Sequence, residues 1–398
     1  MTNGEIRRTP DWERVRGRSL LYAAAAGVVF LALAFLQPSR FLSAYLVGYM
    51  LTLGVALGAL PLLMIHHLAG GGWGYLLRRP LEAATRTLPL MALLAIPLWF
   101  GQGSLYEWSA AGAEAAEKLS HKEPYLNLPF FVIRSVAYFI VWGVLSWLLN
   151  RASTSQDESD DPAHTRRLRN ISGPGLIIYS LTMTFAAFDW VMSIEPLWYS
   201  TIFGVIVMLG QILTALSFSM IVLPQIAGAE GLDELVAPKY LNDVGNITLA
   251  FLMLWAYSHF AQYLIIWSGD ISEEVAWYVH RIDGAWGVYT PLLAFLHFVV
   301  PFLMLLQRPW KRDISRLTKL ACYLLALRFF EQVWLVEPSF GGLTLLTLLR
   351  DAAAVIALGG LFCAYFAWEV AKKPLLPRHD PLLPGVVERL VGQRVGDV

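Results

Sequence analysis

Charge is scarce in this chain. Asp, Glu, Lys and Arg make up 15% of its 398 residues, against about 25% in soluble domains. That excludes an ordinary soluble domain carrying a single anchor. Cysteine is nearly absent: Cys322 and Cys363 stand alone, and no CxxC pair occurs. A zinc knuckle, a cysteine-ligated iron–sulfur cluster and a covalently attached c-type haem are thereby excluded. Both cysteines are expected to be small buried thiols. Net charge is zero, so nothing points to nucleic acid. The first apolar run follows Arg7, Arg8, Arg14, Arg16 and Arg18 without a small-residue cleavage site, so it reads as a retained helix rather than a signal peptide. Period-two alternation is also lacking, which argues against a membrane barrel.

What the chain does have is apolar length: 57% of it is hydrophobic. Ten stretches stand out, near Ser19–Leu36, Phe41–Ile65, Thr87–Trp99, Leu128–Leu149, Pro174–Met192, Thr201–Leu223, Asn242–Trp267, Trp286–Leu306, Leu317–Leu335 and Leu348–Trp368. A bilayer core of about 30 Å takes roughly 20 residues of helix. Only helices or closed barrels satisfy their backbone within it. The expected fold is therefore an all-α polytopic membrane protein of about ten transmembrane helices. Residues 1–18 would form an N-terminal segment, 19–371 the membrane domain and 372–398 a C-terminal tail lying along a partner or staying free.

Basic residues set the expected orientation. With a cytoplasmic N-terminus, the even loops and both tails carry 23 Lys or Arg, and the odd loops carry Arg40, Lys118, Lys122 and Arg281. The positive-inside rule then places both termini in the cytoplasm. Two loops are long. Gln102–Asn127 holds Glu107, Glu114, Glu117, His121 and Glu123, and Arg151–Ser172 reads as a solvated linker separating four helices from six. Gly54 and Gly58 form a GxxxG, a sign of close helix packing.

Ionisable groups inside lipid cost several kcal/mol and mark candidate sites. Arg134, Asp189, His259, Arg328, Glu331, Arg350 and Asp351 fall in the expected outer half, Asp243 and Glu369 near the inner surface, and His297 near the midplane. Arg328, Glu331 and Gln332 share a helical face, and pairing with Arg350 and Asp351 is expected. That set reads as an ion network locking the last two helices, or as a proton-conducting or quinone-headgroup site. Trp255, His259 and Gln262 share another face. His259 and His297 suit a hydrogen-bonded interior, a proton relay or, less readily, a b-type haem. His66 and His67 read as a helix end at the headgroups. Asp189 and Glu195 flank a turn at Pro196, with Trp190, Trp198 and Tyr199 as an aromatic belt; proton exit and a capped structural turn fit equally.

Two dense motifs carry a resemblance. FDWVMSIEPLWYSTIFG at Phe188–Gly204 and YLNDVGN…FLMLWAYSHFAQYLIIWSGDISEEVAWYVHR at Tyr240–Arg281 closely resemble segments of the ActF membrane subunits of Alternative Complex III, in the polysulfide-reductase-C/NrfD-like family. RDAAAVIALGGLFCAYF and KKPLLPRHDPLLPG are similar to the same family. The likeness runs from about Ile171 to Leu383, with departures at His259 and Ala261. It implies ten helices with two four-helix bundles in a bacterial inner membrane. It also implies a subunit, not catalytic alone, of a quinol:cytochrome c (or high-potential acceptor) oxidoreductase. Its implied partners are ActC, ActB, ActD and the haem-bearing ActA and ActE, with a terminal oxidase and lipids. Haem and iron–sulfur clusters would belong to partners. This subunit would give structural support, proton half-channels and a possible pocket for menaquinone or ubiquinone near Asp189, Trp190 and Gln262. Asp189, Glu195, Asp243, His259, His297, Arg328, Glu331, Arg350 and Asp351 are the expected proton-path residues, and Asp189→Asn is expected to lower proton release. Rival readings are a stand-alone secondary transporter, whose helices would be broken at the midplane, and a pure scaffold.

Overall fold

The computed structural model describes residues 11–110, 119–229, 232, 235–377 and 379–388. Glu114, Glu117 and Lys118 lie outside the described residues. The principal helices are α1 (Trp12–Leu36), α2 (Phe41–Ala69), α3 (Gly72–Thr85), α4 (Leu88–Phe100), α5 (Leu128–Glu158) and α6 (Pro162–Trp190). They continue as α7 (Phe203–Ile226), α8 (Pro238–Gly269), α9 (Ser272–His280), α10 (Trp286–Leu306), α11 (Ile314–Val336) and α12 (Leu345–Val370). Among the described residues there is no strand. The chain is an all-α, multi-helix membrane protein.

Every expected apolar stretch is helical, but the span count falls just below ten. Eight helices are long and apolar enough to cross a membrane, and the bent pair α3–α4 makes up to nine. The remaining stretch is α11, 23 residues long and so about 34 Å at ~1.5 Å per residue. It spans by length, but Lys319, Arg328 and Glu331 dilute its apolar character. The α3–α4 pair bends by 45° at Arg86 and Thr87, where Arg86 pairs with Glu369 near the end of α12.

Side-chain caps begin five of the helices. Asp11, Asn127, Asp161, Asp313 and Thr344 each accept a hydrogen bond from a backbone N–H in the first turn that follows. This satisfies donors that lipid cannot. Pro38, Pro129, Pro162 and Pro238 stand in first turns, where a missing N–H costs nothing.

Helix α2 is the axis. Its apolar residues are buried on all sides, and it packs against α3, α6, α7 and α12. Such contact needs small residues. A Cβ on Gly58 would lie 2.0 Å from the Gln211 carbonyl oxygen of α7, and one on Gly48 would lie 2.9 Å from the Ala354 backbone of α12. The GxxxG packing expectation holds. Helices α2, α3–α4, α5 and α6 form one group of four, α7, α8, α10 and α11 a second, and α1 with α12 flanks them. Outward faces are apolar: Phe35, Ile133, Ile177, Tyr257, Phe260 and Ile265 are all exposed, as a bilayer-facing surface requires.

Trp12 at the start of α1 meets Phe366 near the end of α12 edge-on, with ring centroids 6.4 Å apart. The start of α1 and the end of α12 therefore lie on one side, called here the terminal face; the opposite side is the far face.

Four local expectations need correction. The segment between the second and third apolar stretches, a loop by pattern, is mostly α3, all of whose residues are buried. The Arg151–Ser172 linker shrinks to Ser159–Asp161, because α5 and α6 run through it, and Ser153 and Gln156 are buried. The tail from Lys372 to Glu388 folds back on the bundle: Tyr240 donates to the Val386 carbonyl at 2.7 Å. Cys322 is exposed on α11 and Cys363 half-buried on α12, so the thiols face outward more than expected.

Candidate functional site

Glu331 is the centre of the most unusual arrangement. It is buried on α11, and its carboxylate receives groups from three helices. Trp255 of α8 donates its indole N–H to Oε1 at 2.9 Å. His259, one turn along α8, brings Nε2 to 3.4 Å of Oε1. His297 of α10 brings Nδ1 to 3.2 Å of Oε2, and Arg328 pairs with the same oxygen. Arg328 also donates to Thr214 Oγ1 of α7 at 3.2 Å. His297 and Glu331 are 0% and 1% exposed. The histidine contacts lie within electrostatic reach, yet His259 Nε2 and both ring nitrogens of His297 lack a well-directed hydrogen bond. Buried polar atoms without such bonds are costly.

The local backbone explains how His297 reaches this point. Residues Phe295–Val299 form a single π-helical turn within α10, the kind of insertion that re-aims side chains at functional sites. Arg328 and Glu331 face one way because they are i, i+3 on α11. Gly210 leaves room for the guanidinium: a Cβ there would fall 2.1 Å from Arg328 Nη2. His297 lies roughly 15 Å along α10 from Trp286. The two histidines do not bracket a haem. Both rings pack on Trp255, with centroids 4.6 and 4.2 Å away, and both face Glu331, so an indole and a carboxylate occupy the space.

The other expected residues divide among separate clusters. Arg328 and Glu331 do not join Arg350 and Asp351. Arg350 instead meets Glu337 and Asp351 at 3.3 Å each, and Arg40 reaches Glu337 at 3.0 Å. This network ties the start of α12 to the α1–α2 and α11–α12 turns. Asp189 is clamped by Arg134, with bonds of 2.7 and 2.9 Å, and accepts from the Tyr138 hydroxyl at 2.8 Å. Glu195 accepts from Arg281 at 3.0 Å and from Ser339. Asp243 is half-buried in the second turn of α8 and joins none of these clusters.

The proposed quinone contacts do not converge. Trp190 donates to Ser135 at 3.0 Å beside the Asp189 clamp. Gln262 accepts from Ser200 at 2.8 Å and donates to Tyr278 at 3.1 Å. Two separate sets of protein partners therefore engage these side chains. Trp190 and Trp198 are buried and only Tyr199 is exposed, so the aromatic belt reduces to Tyr199. Helix α6 already ends at Trp190, before Pro196.

One cluster escaped the sequence reading. At the terminal face Arg78 meets Glu82 at 3.0 Å and Asp380 of the tail at 2.9 Å. Arg79 meets Glu82 at 2.7 Å and also pairs with Asp157. Ser153 donates to Glu82 at 2.6 Å. The signal was present: Glu82 stands four residues after Arg78 and three after Arg79. A short polar segment between two apolar stretches nevertheless reads as a loop until its burial is known. His66 is buried here rather than at the headgroups, against Trp73, Tyr75 and Gly74.

Outside the spans, burial governs three cations. Arg281 is pulled down to about 10 by burial, opposed by Glu195. Lys122, which donates to the Pro196 carbonyl at 2.7 Å, and Lys373 are likewise pulled below the usual lysine value by burial. Among the described residues, no group of three or more His, Cys, Asp or Glu is placed to hold a metal ion. No protein-family model and no curated protein matches the chain.

Proposed function

We propose that this chain is a proton-handling membrane subunit of a quinol-oxidising complex of the Alternative Complex III kind, working beside haem- and cluster-bearing partners. The observation that carries the reading is Glu331, a buried carboxylate shared by two histidines whose ring nitrogens are incompletely bonded. Arg328 balances the charge of Glu331, so a proton arriving at either imidazole is the one uncompensated charge in the cluster. Lipid tolerates that charge only briefly, which favours passing it on. Trp255 and Arg328 hold the carboxylate still, while His259 and His297 face it from different helices, on either side of a transfer step. The sequence likeness to ActF supports the setting. Asp189, clamped by Arg134 and Tyr138, serves as a lock between α5 and α6, and quinol chemistry belongs to partner subunits.

The test is Glu331→Gln in the intact complex, reconstituted in vesicles. Protons released per quinol oxidised should fall while the complex stays assembled. An unchanged ratio would remove Glu331 from the route. Purification without any haem- or cluster-bearing companion would overturn the assignment to such a complex. That result would instead favour a stand-alone transporter.

A further inference from the structure

A groove of about 360 Å³ runs down the outside of the bundle at the terminal face, between α1, α4 and α12. Leu20, Leu90 and Leu361 form its walls, with Tyr365 and Trp368 on one side and Arg16 at its mouth. Leu361 to Trp368 covers about 10 Å of helix, so the apolar part runs inward from the interface. Tyr365 and Trp368 stand at the depth where amphipathic rings settle. The helices cannot close it by moving together, because α1 and α12 already touch: a Cβ on Gly360 would lie 2.8 Å from Ser19 O and Ala23 Cβ.

The rim is positive. Arg16 is exposed and has no ion pair among the described residues. Glu369 is shared by Arg86 at 3.0 Å and Lys372 at 2.6 Å, and Lys372 lies over the Trp368 ring at 3.0 Å. Glu369 is thus outnumbered by two cations, and Arg16 lines the groove with a guanidinium of its own. An apolar slot that opens at headgroup depth under surplus positive charge matches a molecule with an acyl chain and an anionic head. A guanidinium also suits phosphate geometry.

We propose that this groove is a selective site for one anionic phospholipid, its acyl chain between α1, α4 and α12 and its phosphate at Arg16. The site does not depend on the functional reading above.

The test is native mass spectrometry of the full chain in mild detergent, offered phosphatidylglycerol or phosphatidylcholine with identical chains. Wild type should retain phosphatidylglycerol about fivefold better, the scale expected for one basic residue at an anionic surface. Arg16→Gln should abolish that preference. Arg14→Gln, exposed on the same helix but outside the groove, should keep it. Leu20→Trp, which fills the slot from an exposed position, should lower retention of both lipids. Equal retention of the two lipids by wild type would overturn the site. So would equal losses in the Arg14 and Arg16 variants, which would mean diffuse attraction to a basic segment, or full retention by Leu20→Trp.

Discussion

Replacing Asp189 by asparagine isolates the energetics of an ion pair inside this bundle. The side chain is fully buried, and its two oxygens accept from Arg134 at 2.7 and 2.9 Å and from Tyr138 at 2.8 Å. Asparagine keeps the shape, removes the charge and turns one acceptor into a donor aimed at other donors. Breaking a buried pair by removing one partner costs about 3–5 kcal/mol, because the other charge stays behind. Arg134 is not wholly abandoned. It donates to the Tyr125 carbonyl at 2.9 Å and lies over the Tyr125 and Phe130 rings at 3.9 and 4.3 Å. Such cation–π contacts return about 1 kcal/mol, leaving a net loss of roughly 2–4 kcal/mol. At ~1.4 kcal/mol per decade, the folded-to-unfolded ratio should drop roughly 30- to 1,000-fold. Reversible unfolding of the purified full chain in mixed micelles, titrated with denaturing detergent, measures this. The paired change Asp189→Leu with Arg134→Met removes both charges and should recover to within about 1 kcal/mol of wild type. A single variant as stable as wild type, or a double variant no better than the single, would show that the Arg134–Asp189 pair does not stabilise the bundle in this way.

Gly58→Ala should destabilise the bundle by about 1–3 kcal/mol or more, because its methyl meets the Gln211 backbone; Gly143→Ala, with open space around it, should be neutral in the same titration. Asp380→Asn should free the tail by unpairing it from Arg78, giving faster limited proteolysis after Lys372, and unchanged cleavage would show that the tail is held elsewhere. Lys373 has its pKa lowered by burial, so the unfolded chain binds its proton more tightly than the folded one. Stability should therefore rise as pH climbs from the folded-state value toward 10.5, and Lys373→Met should flatten that rise in unfolding measured across the window.

Much of the architecture was legible from local pattern. The apolar stretches are long, continuous and bounded by capping residues, and lipid leaves such segments no alternative to helix. The pairing of Arg328 with Glu331 followed from spacing alone. The Trp255–His259 face was also visible, since both lie on one helix. The α3 cluster was missed because a 14-residue polar helix has no reason to be interior until its neighbours are known. Its burial depends on Asp157, Ser153 and Asp380, two of them more than 70 residues away and one about 300.

That this protein lives in a membrane as helices follows from its segments one at a time, because length and hydropathy are properties of each alone. The same local pattern marks nearly every ionisable residue that had to be accommodated there. Packing in three dimensions assigned the partners. It parted Glu331 from Arg350 and Asp351, gave it two histidines and an indole, and closed Asp189 with Arg134. Pairing depends on helix rotation and on a single π-turn in α10, and these arise from packing between helices rather than from any one segment.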